Sequence, residues 1–221
     1  MNFTALDTYL QPFKNIFQED GVAEISINRP GEVWIENRGI MRCESIDILD
    51  LEHLKSLSRL IAQSTDQKIS EETPLLSATL PNGYRIQIVF PPASEPGTVA
   101  MSIRKPSSMQ LNLDMYEEFG AFNNTSTEVV IDENDIILAE YIEKKQIKEF
   151  LKLAIRCKKN IIISGGTSTG KTTFTNAALL EIPKEERLIT CEDAREVNLA
   201  NHQNKVHLIA SKGSQGRAKV T

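Results

Sequence analysis

Cysteine is scarce in this chain. Cys43, Cys157 and Cys191 form an odd, scattered set with no CxxC pair. That pattern argues against both a disulfide framework and a zinc site. Long apolar runs are also missing, and none approaches the roughly 20 residues a membrane helix needs. The opening MNFTALDTYL has neither the basic n-region nor the apolar h-region of a secretory signal. Aromatics make up only 6% of residues and interleave with no basic stripe, so direct nucleic-acid binding is not expected. No repeat period and no low-complexity tract appear. The remainder is ordinary: 221 residues, 40% hydrophobic and 25% charged. That composition suits a cytoplasmic globular protein with one large domain or two small ones.

Charge is unevenly divided. Residues 1–140 carry 10 basic and 22 acidic side chains, whereas residues 141–221 carry 15 basic and 8 acidic. Two domains with different tasks would produce such a split, and so would two solvated surfaces of opposite bias. Between Lys105 and Lys144 lie nine acidic residues and no basic one, with PSS at 106–108 and NNTST at 123–127. The stretch reads as a connector. The expected organisation is therefore a first domain over 1–110, an acidic linker over 111–140 and a second domain over 141–221.

In the first half, Phe3, Leu6, Leu10, Phe13 and Phe17 recur at spacings of three and four, one face of an amphipathic helix. VAEISIN (22–28) and EVWIENR (32–38) alternate apolar and polar residues around Arg29-Pro30-Gly31, a hairpin signal. Leu51, Leu54, Leu57, Leu60 and Ile61 mark a second helix, with Asp50 available as its N-cap. Three strands are expected at 75–80, 84–90 and 98–104. Pro81-Asn82-Gly83 turns between the first two, because Asn-Gly tolerates positive φ. Helix, strands, helix, strands in that order implies an α+β domain with an antiparallel sheet.

The second half carries the chemistry. Ile147, Phe150, Leu151, Ala154 and Ile155 form a helical stripe under a basic outer face. An apolar strand is expected at Ile161-Ile162-Ile163, followed by GGTSTGKTT over 165–173 and a helix ending before Pro183. This nine-residue segment fits G-x-x-x-x-G-K-[ST] through Gly165, Gly170, Lys171 and Thr172. Glycines let successive backbone N–H groups point inward at phosphate oxygens. The loop then delivers those oxygens to the positive end of a helix. The expected nucleotide contacts are Gly165, Gly166, Thr167, Ser168, Thr169, Gly170, Lys171, Thr172 and Thr173. Lys171 would reach the β- and γ-phosphates of ATP, and the Thr172 hydroxyl would ligate Mg²⁺. A glycine-rich turn that merely joins strand to helix is the plainer alternative.

Another strand, LITC at 188–191, ends in Glu192-Asp193. Ligands of parallel α/β sheets bind at the carboxyl ends of strands, so this acidic pair is expected on the edge that holds the phosphate loop. A carboxylate there would orient a water or act as general base toward the γ-phosphate. A charged surface turn is again the alternative. His53, His202 and His207 have no obvious partners, and the last two read as solvated loop residues.

GGTSTGKTTFTNAAL, RLITCEDAREV and SKGSQGRAKVT together resemble the type II/type IV secretion ATPase superfamily, with greatest similarity to the hexameric traffic ATPases of type IV secretion. LPNGYRIQIVFPP (80–92) and MSIRKPS (101–107) are similar to motifs of that family's amino-terminal domain. The resemblance implies an amino-terminal sheet domain followed by a RecA-like ATPase domain, six subunits in a ring, and nucleotide held between the two domains. It further implies that Lys171, Glu192 and Arg104 are catalytic. Glu192 matches the family's catalytic glutamate, Glu196 more weakly matches a second acid, and Arg104 matches an arginine that approaches the phosphates. Arg85 and Arg195 are weaker matches still. An arginine there would neutralise charge developing in the transition state.

The family pattern continues with a Walker B strand and a histidine box after GRAKVT, whereas this sequence stops at Thr221. The expected fold class is thus an α+β amino-terminal sheet domain followed by an incomplete α/β RecA-like P-loop NTPase domain, as in a truncated protein or a fragment. The implied function is an ATP-driven ring motor subunit that assembles a secretion machine or feeds substrate to it. Its partners would be copies of itself and other type IV secretion components. Its place would be the cytoplasmic face of the bacterial inner membrane, any lipid contact being peripheral. A non-catalytic nucleotide-binding or assembly module is the alternative for this chain. A small-molecule P-loop kinase is disfavoured by the sheet domain that precedes the phosphate loop.

Overall fold

Residues 5–106, 111–123, 125–127 and 132–210 are described by a computed structural model. They divide into two compact units: the described residues of Met1–Pro106 with those of Arg187–Thr221, and the described residues of Ser107–Glu186.

The first unit is organised by six antiparallel strands: β1 (Val22–Arg29), β2 (Glu32–Asn37), β3 (Ile40–Ser45), β4 (Leu75–Thr79), β5 (Arg85–Val89) and β6 (Ala100–Arg104). Their order across the sheet is β3-β2-β1-β6-β5-β4. Period-two alternation sends every second side chain to one face. The register brings Ile35, Ile25, Ile103 and Ile86 into a single row across β2, β1, β6 and β5. All four are buried. On this apolar face lie α1 (Ala5–Leu10) and α3 (Leu51–Ser64), the latter contributing Leu54, Leu57 and Ile61 with no exposed surface. Asp50 accepts a hydrogen bond from the His53 backbone N–H at 2.7 Å and so caps α3 as expected.

Both expected turns form, with Gly31 and Gly83 at positive φ. The first apolar series differs from expectation: it is broken into α1, a 3₁₀ turn at Gln11–Phe13 and α2 (Lys14–Gln18). Pro12 occupies the start of that turn, where its missing N–H and fixed φ interrupt a continuous helix. Phe3 lies outside the described residues. Strand β3 was not anticipated. It is an edge strand without a fully buried residue, so it shows little of the alternation that marks a half-buried strand.

The second face of the sheet is polar. Over β1 it meets the residues that lead into β7 (Leu188–Glu192) and β8 (Lys205–Ile209), which pair in parallel. Asn28 on β1 donates to Asn204 at 2.8 Å, both side chains being buried. Arg187 pairs with Glu24 at 2.9 Å, and Ser94 bridges to Leu208.

The second unit is helical among its described residues: α4 (Leu113–Glu118), α5 (Glu133–Glu143), α6 (Ile147–Arg156) and α7 (Lys171–Leu179). The stretch expected to be a connector thus carries α4 and α5, started by the side chains of Asn112 and Asp132. Ion pairs from Lys152 and Arg156 to Glu181 join the end of α6 to the segment after α7. Only Leu138 and Ala154 are buried among this unit's described residues. The strand expected at Ile161–Ile163 is not formed: these residues have no ladder partner among the described residues. Ile162 is 94% exposed. An apolar run signals a demand for burial, but a strand exists only where a neighbouring backbone completes its hydrogen bonds.

Candidate functional site

The phosphate-loop residues fold on one another ahead of α7. Gly170 stands at the N-cap with φ +85°, a left-handed conformation that glycine adopts without steric penalty. Ser168 also has positive φ, at +59°. No side chain caps α7, so its first N–H groups retain their capacity for an anionic acceptor. Lys171 turns back across the loop and donates from Nζ to the carbonyls of Gly165, at 2.8 Å, and Gly166. An ammonium has three donors, which leaves one for a further acceptor. Thr169 Oγ1 donates to the Gly166 carbonyl at 2.9 Å.

The first glycine is required for space rather than conformation. A Cβ at Gly165 would come within 2.8 Å of Thr169 Oγ1. Gly166 is less constrained, its nearest neighbour being Thr169 Cγ2 at 3.7 Å. Gly165 to Gly170 are exposed, including Thr167 and Ser168, as is Thr173, whereas Lys171 and Thr172 are half-buried. The arrangement is a curled, polar, cation-bearing loop opening onto a helix start. Its chemistry suits a polyphosphate.

Arg104 ends β6 in the first unit. Its register partners are Glu24 on β1 and Arg85 on β5. Glu24 Oε1 already accepts from Arg187 at 2.9 Å, Ser102 at 2.8 Å and Ser26 at 3.1 Å. The Arg85 and Arg104 side chains, both exposed, have no hydrogen-bond or ion-pair partner among the described residues. Two guanidinium groups thus share one sheet face with no carboxylate between them, an arrangement whose charge suits an anion.

Glu192, at the carboxyl end of β7, has both oxygens engaged. Oε2 accepts from the backbone N–H of Glu196 at 2.8 Å and of Val197 at 2.7 Å. Oε1 accepts from the Thr190 hydroxyl at 2.7 Å, and Arg195 lies 3.7 Å away. Burial works against the charge, but the N–H donors of Val197 and Glu196, the Thr190 hydroxyl and Arg195 outweigh it. The carboxyl is held below its usual range. Glu192 is therefore a fixed carboxylate rather than a group poised to take a proton near neutrality. Arg195 is itself anchored by Glu95 at 3.0 Å and by the Val197 carbonyl.

His202 and His207 are both 2% exposed, which corrects their reading as solvated loop residues. His207 is a register partner of Thr190 across the β7–β8 ladder, and its Nδ1 lies 2.8 Å from Thr190 Oγ1. Burial pushes its imidazole below the usual range. Sequence reasoning missed this pair because β8 was not anticipated. Period two was the available signal: Thr190 and Glu192 share one face of β7.

A family model described as Type II/IV secretion system protein matches residues 9–221. The chain is 38% identical over 207 residues to the type IV secretion system protein VirB11 of Brucella suis, a match covering 92% of this chain and 57% of that protein. It is 37% identical over 221 residues to the type IV secretion system protein PtlH of Bordetella pertussis, covering 96% and 62% respectively. The crystal structure of the VirB11 ATPase from the Brucella suis type IV secretion system, in complex with sulphate, superposes with a TM-score of 0.90 at 38% identity. That match covers 94% of this chain and 64% of the solved one. The chain spans about three fifths of the length of the curated relatives it matches.

Proposed function

The chain belongs to the type II/IV secretion system protein family, and from that premise we infer that it is the nucleotide-binding part of an ATP-driven ring motor for type IV secretion. The observation that carries this reading is the curled phosphate loop. Lys171 lies against the loop's own carbonyls, and α7 begins with uncapped N–H groups. The fold class proposed for the region around it is an α/β RecA-like P-loop NTPase domain.

Residues Gly165 to Thr173 would cradle the phosphates. What supports the fit is the loop's own packing: with no Cβ at Gly165, the Thr169 side chain closes against the backbone there, and Lys171 lies across the same turn. Lys171 would exchange its carbonyl acceptors for phosphate oxygens. Thr172 would hold Mg²⁺, its hydroxyl being a hard oxygen donor of the kind that ion takes. Bound there, Mg²⁺ would neutralise charge on the β- and γ-phosphates.

Arg104, with Arg85 beside it, would supply positive charge for the oxygens of the γ-phosphate. Glu192 would orient the attacking water by accepting its hydrogen bond. Its depressed pKa favours this role over proton abstraction. Working at the cytoplasmic face of the inner membrane, the subunit would assemble with copies of itself and with other secretion components. Among the described residues, no helix is long and apolar enough to cross a membrane.

The test is calorimetric titration of the chain with Mg·ATP, alongside phosphate release under the same conditions. Binding with turnover supports the motor. Binding without phosphate release assigns this chain the alternative role of a non-catalytic nucleotide-binding or assembly module. Absence of binding overturns the reading.

A further inference from the structure

Three side chains of the β7–β8 ladder form a directed hydrogen-bond chain. The Thr190 hydroxyl has one proton, and an ionised carboxylate can only accept. The 2.7 Å contact between Thr190 Oγ1 and Glu192 Oε1 therefore uses that proton. The 2.8 Å contact between Thr190 Oγ1 and His207 Nδ1 must then be donated by the ring. The tautomer follows from the network: Nδ1 carries hydrogen and Nε2 carries the lone pair. Nε2 is buried with no hydrogen-bond partner among the described residues, and protonating it would place an unmatched charge there.

We propose that Thr190 and His207 are positioning residues for Glu192: the neutral ring orients the Thr190 hydroxyl, and the hydroxyl fixes one carboxylate oxygen. The opposite oxygen is fixed by the N–H groups of residues 196 and 197. The carboxylate is thereby clamped from two sides in one rotamer and kept ionised. Arg195 at 3.7 Å from Glu192 adds charge to the same cluster. Glu95 and Lys205 are the other charged groups that act on His207. Hydrogen bonds to an ionised group are shorter and stronger than neutral ones, so the relay matters more than its single hydroxyl suggests. A ladder pair one turn of the pleat before the carboxyl end of a strand is well suited to the task, because the strand holds Thr190 and Glu192 on one face.

The importance of this relay for phosphate chemistry rests on the role proposed above for Glu192. The relay itself is testable without nucleotide. In the 221-residue chain, long-range ¹⁵N–¹H correlation spectra are expected to show His207 as the Nδ1–H tautomer. The ¹³C-detected titration of the Glu192 carboxyl is expected to move upward by about one to two pH units in Thr190→Val, since one such bond contributes about 1.5–3 kcal/mol in favour of the charged form. Thr190→Ser keeps the hydroxyl and should restore the wild-type midpoint. An Nε2–H tautomer, or a Glu192 midpoint unmoved by Thr190→Val in a chain whose backbone spectrum is otherwise unchanged, overturns the proposal. Should Thr190→Val unfold the unit, the tautomer of His207 in wild type still decides. Loss of nucleotide binding would leave these readouts untouched and count only against the function proposed for the site.

Discussion

Arg104 stands directly opposite Arg85 in the β5–β6 ladder. Like charges placed opposite each other in a sheet repel, and the neighbouring Glu24 is committed to Arg187 and two serines. The pair gains from an anion that both can reach. Arg104→Ala is expected to weaken ATP more than ADP, and Arg85→Ala to do the same to a smaller extent. Competition titrations with the two nucleotides measure this directly. Equal losses for ATP and ADP would place the arginine on another phosphate or in a structural role.

Lys171→Ala should abolish triphosphate binding and leave the sheet unit folded, because among the described residues its ammonium is hydrogen-bonded to the loop's own carbonyls alone. Calorimetry against Mg·ATP, with far-ultraviolet dichroism as a control for folding, reports both halves. Unchanged affinity would remove the phosphate loop from consideration.

The two essential loop glycines should fail in different ways. Gly165→Ala drives a Cβ into Thr169 Oγ1, so Thr169→Ala in the same chain is expected to recover part of the lost nucleotide affinity. Gly170 has open space around its missing Cβ but sits at φ +85°. Any L-residue there costs about 1–2 kcal/mol in backbone strain, and Asn, which tolerates that region, should be milder than Val. Thr169→Ala should give Gly170→Val no relief. A common rescue pattern would contradict the distinction.

Two shifted groups give the first unit a directional response to acid. Burial holds His207 below its usual range, and Glu192 is likewise lowered. A group whose folded pKa is depressed contributes stability that is present above its unfolded pKa and is lost as pH falls through the folded one. Urea midpoints should therefore be highest above about pH 6.5, fall first as His207 resists protonation, and fall again in the carboxylate range. His207→Gln should flatten the first decline and spare the second. A midpoint that does not change between neutrality and mild acid would contradict the assignment.

The parts of this molecule that sequence makes visible are those in which neighbouring residues determine one another. Asp50 before a leucine stripe announces a capped helix, and Pro81-Asn82-Gly83 between alternating runs announces a turn. The phosphate loop is legible because its glycines, lysine and threonine must be contiguous. The β8 strand and the His207–Thr190 contact were not visible, since they depend on a pairing between segments 17 residues apart. Apolar spacing alone fits a continuous helix through residues 3–17, and the break at Pro12 comes from its backbone chemistry instead. Ile161–Ile163 illustrates the converse, as its composition demands a sheet that local sequence cannot supply.

The grip of Lys171 on Gly165 and Gly166 has a thermodynamic consequence for any polyphosphate that binds there. A slack glycine-rich segment would have to surrender backbone freedom of about 1–2 kcal/mol per residue on engagement. Here the curl is already held by an internal cation. Arrival of the ligand then becomes an exchange of acceptors at one ammonium, carbonyl oxygen for phosphate oxygen, with most of the ordering completed during folding.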